Sequence, residues 1–166
     1  MSSESVTVAG TVLYIEDSHI NTILVERILT SRPDVVFGSA PDGRTGLDRA
    51  TRLHPDLVLL DLTLPDISGE QVLARLRADP ATRAIPVIVV SGETDPVVQH
   101  RLLAQGAQWW LTKPYEINDL LRLVDDSLQT PSSAAQSTAR QTSSSAGLPP
   151  STSRTTRSAS SWASGD

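Results

Sequence analysis

The sequence predicts an α/β protein built on a doubly wound, five-stranded parallel sheet, and three observations lead there. Between residues 11 and 128, short β-rich runs alternate with stretches of helical periodicity, the order that spells right-handed βα crossovers. The run Leu57-Val58-Leu59-Leu60 is apolar without alternation, which suits a central strand covered by helices on both faces. The runs also end in polar residues (Glu16-Asp17, Asp61, Ser91 and Lys113), and a parallel sheet brings its carboxyl ends to one edge.

Taken in order, Thr11-Val12-Leu13-Tyr14-Ile15 is the first strand. Ser18 can cap the first helix, in which Ile20, Ile23, Leu24, Ile28 and Leu29 are expected as one inward stripe. Arg32-Pro33 ends it, because the residue before a proline disfavours the α conformation. Val35-Val36-Phe37 begins a second strand that reaches Ala40. Asp42 to Leu53 is a second helix with Leu47 and Ala50 inward, closed by His54-Pro55. The Asp61 strand follows, then a Leu-Pro-Asp turn and a third helix over Gln71–Arg77 with Val72, Leu73 and Leu76 facing the sheet.

Asp79-Pro80 stops that helix, and Pro86–Ser91 is a fourth strand, apolar until Ser91. Asp95-Pro96 opens a fourth helix with proline at its preferred first position, and Gly106 ends it. Trp109-Trp110-Leu111-Thr112 is a short fifth strand leading into Lys113-Pro114. The last helix spans Glu116–Leu128, with Ile117, Leu120, Leu121, Val124 and Leu128 at core spacing.

The 166 residues are 39% hydrophobic and 20% charged, enough for one domain with a real core. Cysteine is absent, which excludes disulfides and thiolate metal sites. No apolar run approaches the roughly 20 residues of a membrane span, and the N-terminus lacks signal-peptide character. A cytoplasmic location is therefore expected. The net charge of −5 argues against nucleic acid as a direct partner, which requires a basic face.

Composition changes from Gln129 onward to mostly Ser, Thr, Ala and Pro, with Arg140, Arg154 and Arg157 against Asp166 alone. Such a segment cannot bury enough surface to offset its ordering entropy, so 129–166 is expected as a disordered tail and 1–10 as a flexible N-terminus.

The strand ends carry the chemistry. An unpaired buried charge is costly, so Asp61 must be exposed, paired or bound to a metal. Glu16, Asp17 and Asp61 together would repel one another without a cation. Oxygen ligands with no His or Cys favour Mg²⁺, with Mn²⁺ as the alternative. Ser91 and Lys113 complete a cradle for a tetrahedral anion, with Asp61 as nucleophile forming an aspartyl phosphate. His19, His54 and His100 show no metal spacing, and Asp66, Asp79 and Asp95 read as turn and cap residues.

Tyr14-Ile15-Glu16-Asp17, Leu59-Leu60-Asp61-Leu62-Thr63-Leu64-Pro65-Asp66, Val89-Val90-Ser91-Gly92 and Leu111-Thr112-Lys113-Pro114 together resemble the receiver domain of two-component signalling. The resemblance covers residues 11–128, as a single-domain or hybrid-kinase-type receiver, and implies a flavodoxin-like (βα)5 fold with strand order 2-1-3-4-5. It implies that Asp61 accepts a phosphoryl group from a phosphohistidine, supplied by a sensor histidine kinase or a histidine phosphotransfer domain. It further implies that Asp17, Asp61, the Thr63 backbone carbonyl and Glu16, directly or through water, hold Mg²⁺.

By the same resemblance Ser91 and Trp110 are the switch pair, Lys113 pairs with the phosphoryl group, and the Lys113-Pro114 bond is cis. Thr63 and Glu93 stand where side chains tune the phosphate lifetime. Output would pass to a protein partner or a second copy through the face of the fourth helix, fifth strand and fifth helix. Trp109 departs from the usual polar residue and marks an expected contact on that face, since alternation sends the two indoles to opposite sides.

Two rivals remain. A haloacid-dehalogenase-type phosphatase also uses a strand-end Asp with Mg²⁺. It would place that Asp on its first core strand and a second Asp two residues later, where this chain has Thr63. The other is a receiver fold that serves only as an interaction module. In neither the receiver nor the module reading is the chain an enzyme acting on other substrates.

Overall fold

The computed structural model describes residues 8–129. The elements are β1 (Gly10–Ile15), α1 (His19–Leu29), β2 (Val35–Ala40), α2 (Gly43–Leu53), β3 (Leu57–Leu60), α3 (Gly69–Ala78), β4 (Val87–Ser91), α4 (Pro96–Ala104), β5 (Trp109–Thr112) and α5 (Ile117–Gln129). Gly10 and Gln129, expected outside the domain, are the end residues of β1 and α5. The rest of the expected N-terminal arm up to Thr7 and the tail from Thr130, with Trp162, lie outside the described residues.

All strands are parallel, in the order β2-β1-β3-β4-β5. Ile15 stands opposite Leu60, Leu60 opposite Val89, and Ser91 opposite Thr112, so the polar strand ends share one edge. Alternation divides the core into two layers. Leu13, Ile15, Val58, Leu60, Val87 and Val89 face α2, α3 and α4. Val12, Tyr14, Leu57, Leu59, Ile88 and Val90 face α1 and α5. Each such aliphatic side chain, fully buried, contributes about 1.5–3 kcal/mol.

Helix starts follow from side-chain caps, each worth about 1 kcal/mol. Ser18, Asp42 and Asp95 accept from the backbone N–H groups of Asn21, Thr45 and Val97. Ser68 and Gln71 form a reciprocal capping box on α3. At the far end of α2, His54 adopts the left-handed conformation that closes a helix (φ 45°).

The expected stripe on α1 is corrected. Val25, Ile28 and Leu29 are buried, whereas Ile23 and Leu24 face outward and Ile20 is 80% exposed. The reason lies at the site: Asn21 occupies the inward side of the first turn, where it reaches Glu16, so polarity is reversed there. Ile117, the first residue of α5, is likewise exposed, while Leu120 and Val124 carry the packing. No helix among the described residues is long and apolar enough to cross a membrane.

Candidate functional site

The carboxyl ends of β1, β3 and β4 and the turn after β5 converge on Asp61. Its N–H donates to the Ile15 carbonyl (3.0 Å), and the next residue is held by Gly69 N–H to the Leu62 carbonyl (2.9 Å). The start of α3 is thereby seated against the chain beside the acid. Lys113 Nζ lies 2.9 Å from Asp61 Oδ2 and 2.9 Å from Glu16 Oε2, one ammonium shared by two buried carboxylates. Lys113 offsets part of the carboxylate charge for which the sequence predicts Mg²⁺. The Lys113-Pro114 peptide is cis.

Glu16 and Asp61 differ in what surrounds them. Glu16 receives Tyr14 Oη (3.0 Å), Ser18 N (3.0 Å), Asn21 Nδ2 (3.4 Å) and Lys113 Nζ. Asp61 receives only Thr63 N (3.1 Å) and Lys113 Nζ. Burial pushes both carboxyls up, but for Glu16 the bonding with Asp61 and Lys113 outweighs it and brings the pKa down to about 2. For Asp61 burial, joined by the neighbouring Glu16 carboxylate, prevails over Lys113 and the Thr63 N–H, so its pKa rises. Burial disfavours charge on Lys113 too, yet the two carboxylates hold its pKa above the ordinary lysine value. Negative charge is thus anchored on Glu16, while Asp61 is the less stabilised carboxylate.

One oxygen each of Glu16, Asp17 and Asp61 lies within 4.8 Å of the other two. Such an all-oxygen donor set, with Asp17 exposed at the rim, fits a hard divalent cation. Ser91 is buried at the end of β4, and its Oγ accepts from Glu93 N–H (3.2 Å). The Glu93 carboxylate turns back on its own loop, accepting from Thr94 and Asp95 N–H at 2.8 Å each. Thr63 is exposed beside Asp61.

Trp110 is half-buried and packs on the layer that contains Val89 and Leu102, with its Nε1 buried and without a partner. Trp109 is 42% exposed, the alternation expected of neighbouring strand residues. Asp66, Asp79 and Asp95 act as turn and cap residues: Asp66 accepts from Gly43 and Arg44 N–H at the start of α2. Asp79 accepts from Ala81 N–H, and Asp95 caps α4.

Sequence reasoning missed Tyr14 and Asn21 as partners of Glu16. Tyr14 was within reach of it, because residues two apart on a strand share a face and a buried phenol needs an acceptor.

Comparison with known proteins agrees with this geometry. Residues 12–125 match the family described as the response regulator receiver domain. The nitrate/nitrite response regulator protein NarL of Escherichia coli is 36% identical over 114 residues, 68% of this chain and 52% of NarL. The chain thus spans about half the length of that relative. Protein PilH of Pseudomonas aeruginosa is 34% identical over 117 residues, 69% of this chain and 93% of PilH. Among solved structures, the Mn²⁺-bound form of response regulator Rcp1 superposes with a TM-score of 0.63 at 26% identity, covering 74% of this chain and 96% of Rcp1. With strand order, acidic edge and matched residues in agreement, this chain belongs to the response regulator receiver domain family of two-component systems.

Proposed function

We propose that this chain is a phosphoacceptor in a two-component phosphorelay. An Asp61 carboxylate oxygen attacks the phosphorus of a phosphohistidine on a sensor histidine kinase or histidine phosphotransfer domain. The P–N bond breaks, the imidazole leaves, and an aspartyl phosphate remains on Asp61. The observation that carries this reading is the Lys113 ammonium, shared at 2.9 Å by Asp61 and Glu16 beside a cluster that also includes Asp17.

Asp17, Asp61, the Thr63 carbonyl and Glu16, directly or through water, are the groups that would hold Mg²⁺. Mn²⁺ is the alternative, as in the Mn²⁺-bound Rcp1. The metal would supply positive charge at the phosphoryl oxygens. Lys113 and the Ser91 hydroxyl would take the remaining oxygens.

Phosphorylation would shift the population of a pre-existing active arrangement, with Ser91 and Trp110 as the switch pair. Output would pass through α4, β5 and α5, where Trp109 is exposed, to a protein partner or a second copy. Thr63 and Glu93 would set how readily water reaches the phosphate. A cytoplasmic site of action, with neither membrane nor nucleic acid as direct partner of this domain, suits its acidic composition.

The test is intact mass after incubation with Mg²⁺ and acetyl phosphate, on wild type and Asp61→Asn. One phosphoryl group on the wild type only is the expected result. An adduct on both proteins would assign the wrong aspartate. Rapid turnover of many phosphate esters would favour a phosphatase, and no adduct on either an interaction module.

A further inference from the structure

We propose that Tyr14 is a positioning residue that keeps Glu16 turned toward Lys113 and limits the direct share Glu16 can take in a bound divalent cation. The inference rests on the metal-dependent reading above and concerns a residue outside the expected ligand set. Tyr14 is 0% exposed, its ring set in the layer with Val25, Ile28, Leu59 and Leu111. Its hydroxyl donates to Glu16 Oε2 at 3.0 Å.

A carboxylate offers about four acceptor positions on its two oxygens. On Glu16 all four are taken: Tyr14 and Lys113 on Oε2, Ser18 N–H and Asn21 on Oε1. On Asp61 only two are taken, by Thr63 N–H on Oδ1 and Lys113 on Oδ2. A cation arriving at the edge therefore finds free lone pairs on Asp61, whereas Glu16 must first release a donor. Of its four donors, Tyr14 has the poorest prospects elsewhere, because its surroundings are apolar and a buried hydroxyl without a partner is costly. The phenol thus makes direct ligation by Glu16 expensive and leaves it to act through water.

Tyr14→Phe keeps the ring and its packing and frees one acceptor position on Glu16. Titration calorimetry of Mg²⁺ into the full chain should then give a Kd roughly three- to tenfold smaller than wild type, the span of one ordinary net hydrogen bond. Glu16→Asp, shorter by one methylene, withdraws the carboxylate from the phenol. In that background Tyr14→Phe should leave the Mg²⁺ Kd unchanged, completing a double-mutant cycle.

A Kd for Tyr14→Phe equal to or weaker than wild type overturns the inference, as does an equal tightening in the Glu16→Asp background. A purely structural hydroxyl would produce one of those results, since lost order does not tighten binding. The receiver reading is scored separately, on wild type. Mg²⁺ binding and an Asp61 phosphoryl adduct there, with no tightening in Tyr14→Phe, defeat this inference alone. A wild type that binds no Mg²⁺ defeats both.

Discussion

Gly69→Ala is the substitution that most directly tests how the phosphoacceptor strand is seated. Gly69 opens α3 with φ outside the left-handed region, so backbone conformation does not demand glycine there. Space does. A Cβ on Gly69 would collide with the Asp61 carbonyl oxygen and lie 2.6 Å from Leu62 Cα and 2.9 Å from the Asp61 carbonyl carbon. All three are backbone atoms of the segment that carries Asp61, and none can rotate away.

Overpacking costs about 1–3 kcal/mol where side chains can yield, and a rigid backbone puts this case at the upper end. The entropic gain of alanine over glycine in the unfolded chain returns about 0.4–1 kcal/mol. The net loss is then about 2 kcal/mol. With a urea m-value of about 1–3 kcal/mol/M, the unfolding midpoint followed by Trp fluorescence should fall by roughly 1 M. Phosphorylation by acetyl phosphate should slow as well, because relief of the clash moves the Asp61–Thr63 backbone. Gly38→Ala, whose Cβ meets nothing within 4 Å, is the control. A Gly69→Ala midpoint within about 0.3 M of wild type, with an unchanged phosphorylation rate, would refute the argument.

Two further outcomes follow from single residues. Arg77 donates to the Gly106 carbonyl (2.7 and 3.1 Å), the Ile85 carbonyl (2.7 Å) and the Arg83 carbonyl (3.1 Å). Arg77→Ala, which leaves three carbonyls to water or to nothing, should cost about 3 kcal/mol in urea unfolding. Arg77→Lys should be intermediate, because one ammonium cannot span the three acceptors, and a neutral Arg77→Ala would sink the idea. Burial pushes the Asp66 carboxyl up, but the N–H groups of Arg44 and Gly43 outweigh it, holding its pKa at about 2 against an ordinary 3.8. The sign is that of a depressed acid: its contribution is complete above pH 4 or so and lost as pH falls toward about 2. Asp66→Asn should therefore flatten the decline of the unfolding midpoint over that window, and parallel curves for the two proteins would contradict this.

The fold was legible because its strands are short, apolar and punctuated by Pro, Gly and Asp. The site was legible because acids and a lysine at the ends of apolar strands have no packing role to explain them. What escaped was what depends on direction or on the backbone. The phase of α1 was misread because apolar residues there lie outside and Asn21 inside, reversing the rule that apolar faces inward. The pairing of Lys113 with Glu16 spans 97 residues and has no local signature. The clasp of Arg77 is invisible for a different reason: its acceptors are carbonyls, and every residue type has one.

The same packing says where the domain can change shape most easily. α3 buries Gly69, Val72, Leu73 and Leu76, and α5 buries Leu120, Val124 and Ser127. α4 buries Leu102 alone and exposes Val97 and Leu103. Its tie to α3, Arg101 to Glu70 at 3.0 Å, is exposed and contributes at most about 1 kcal/mol. Arg77 meanwhile fixes the floor beneath it, bonding the Gly106 carbonyl just past the end of α4. A helix with a single buried side chain above a pinned connection should open locally at lower cost than its neighbours. Hydrogen exchange should find α4 amides the least protected of the three helices, while Gln108 N–H, bonded to the Val87 carbonyl of β4, stays slow. Protection of α4 equal to that of α3 would mean that Leu102 alone anchors it, and a switch between Ser91 and Trp110 would then have to act without moving that helix.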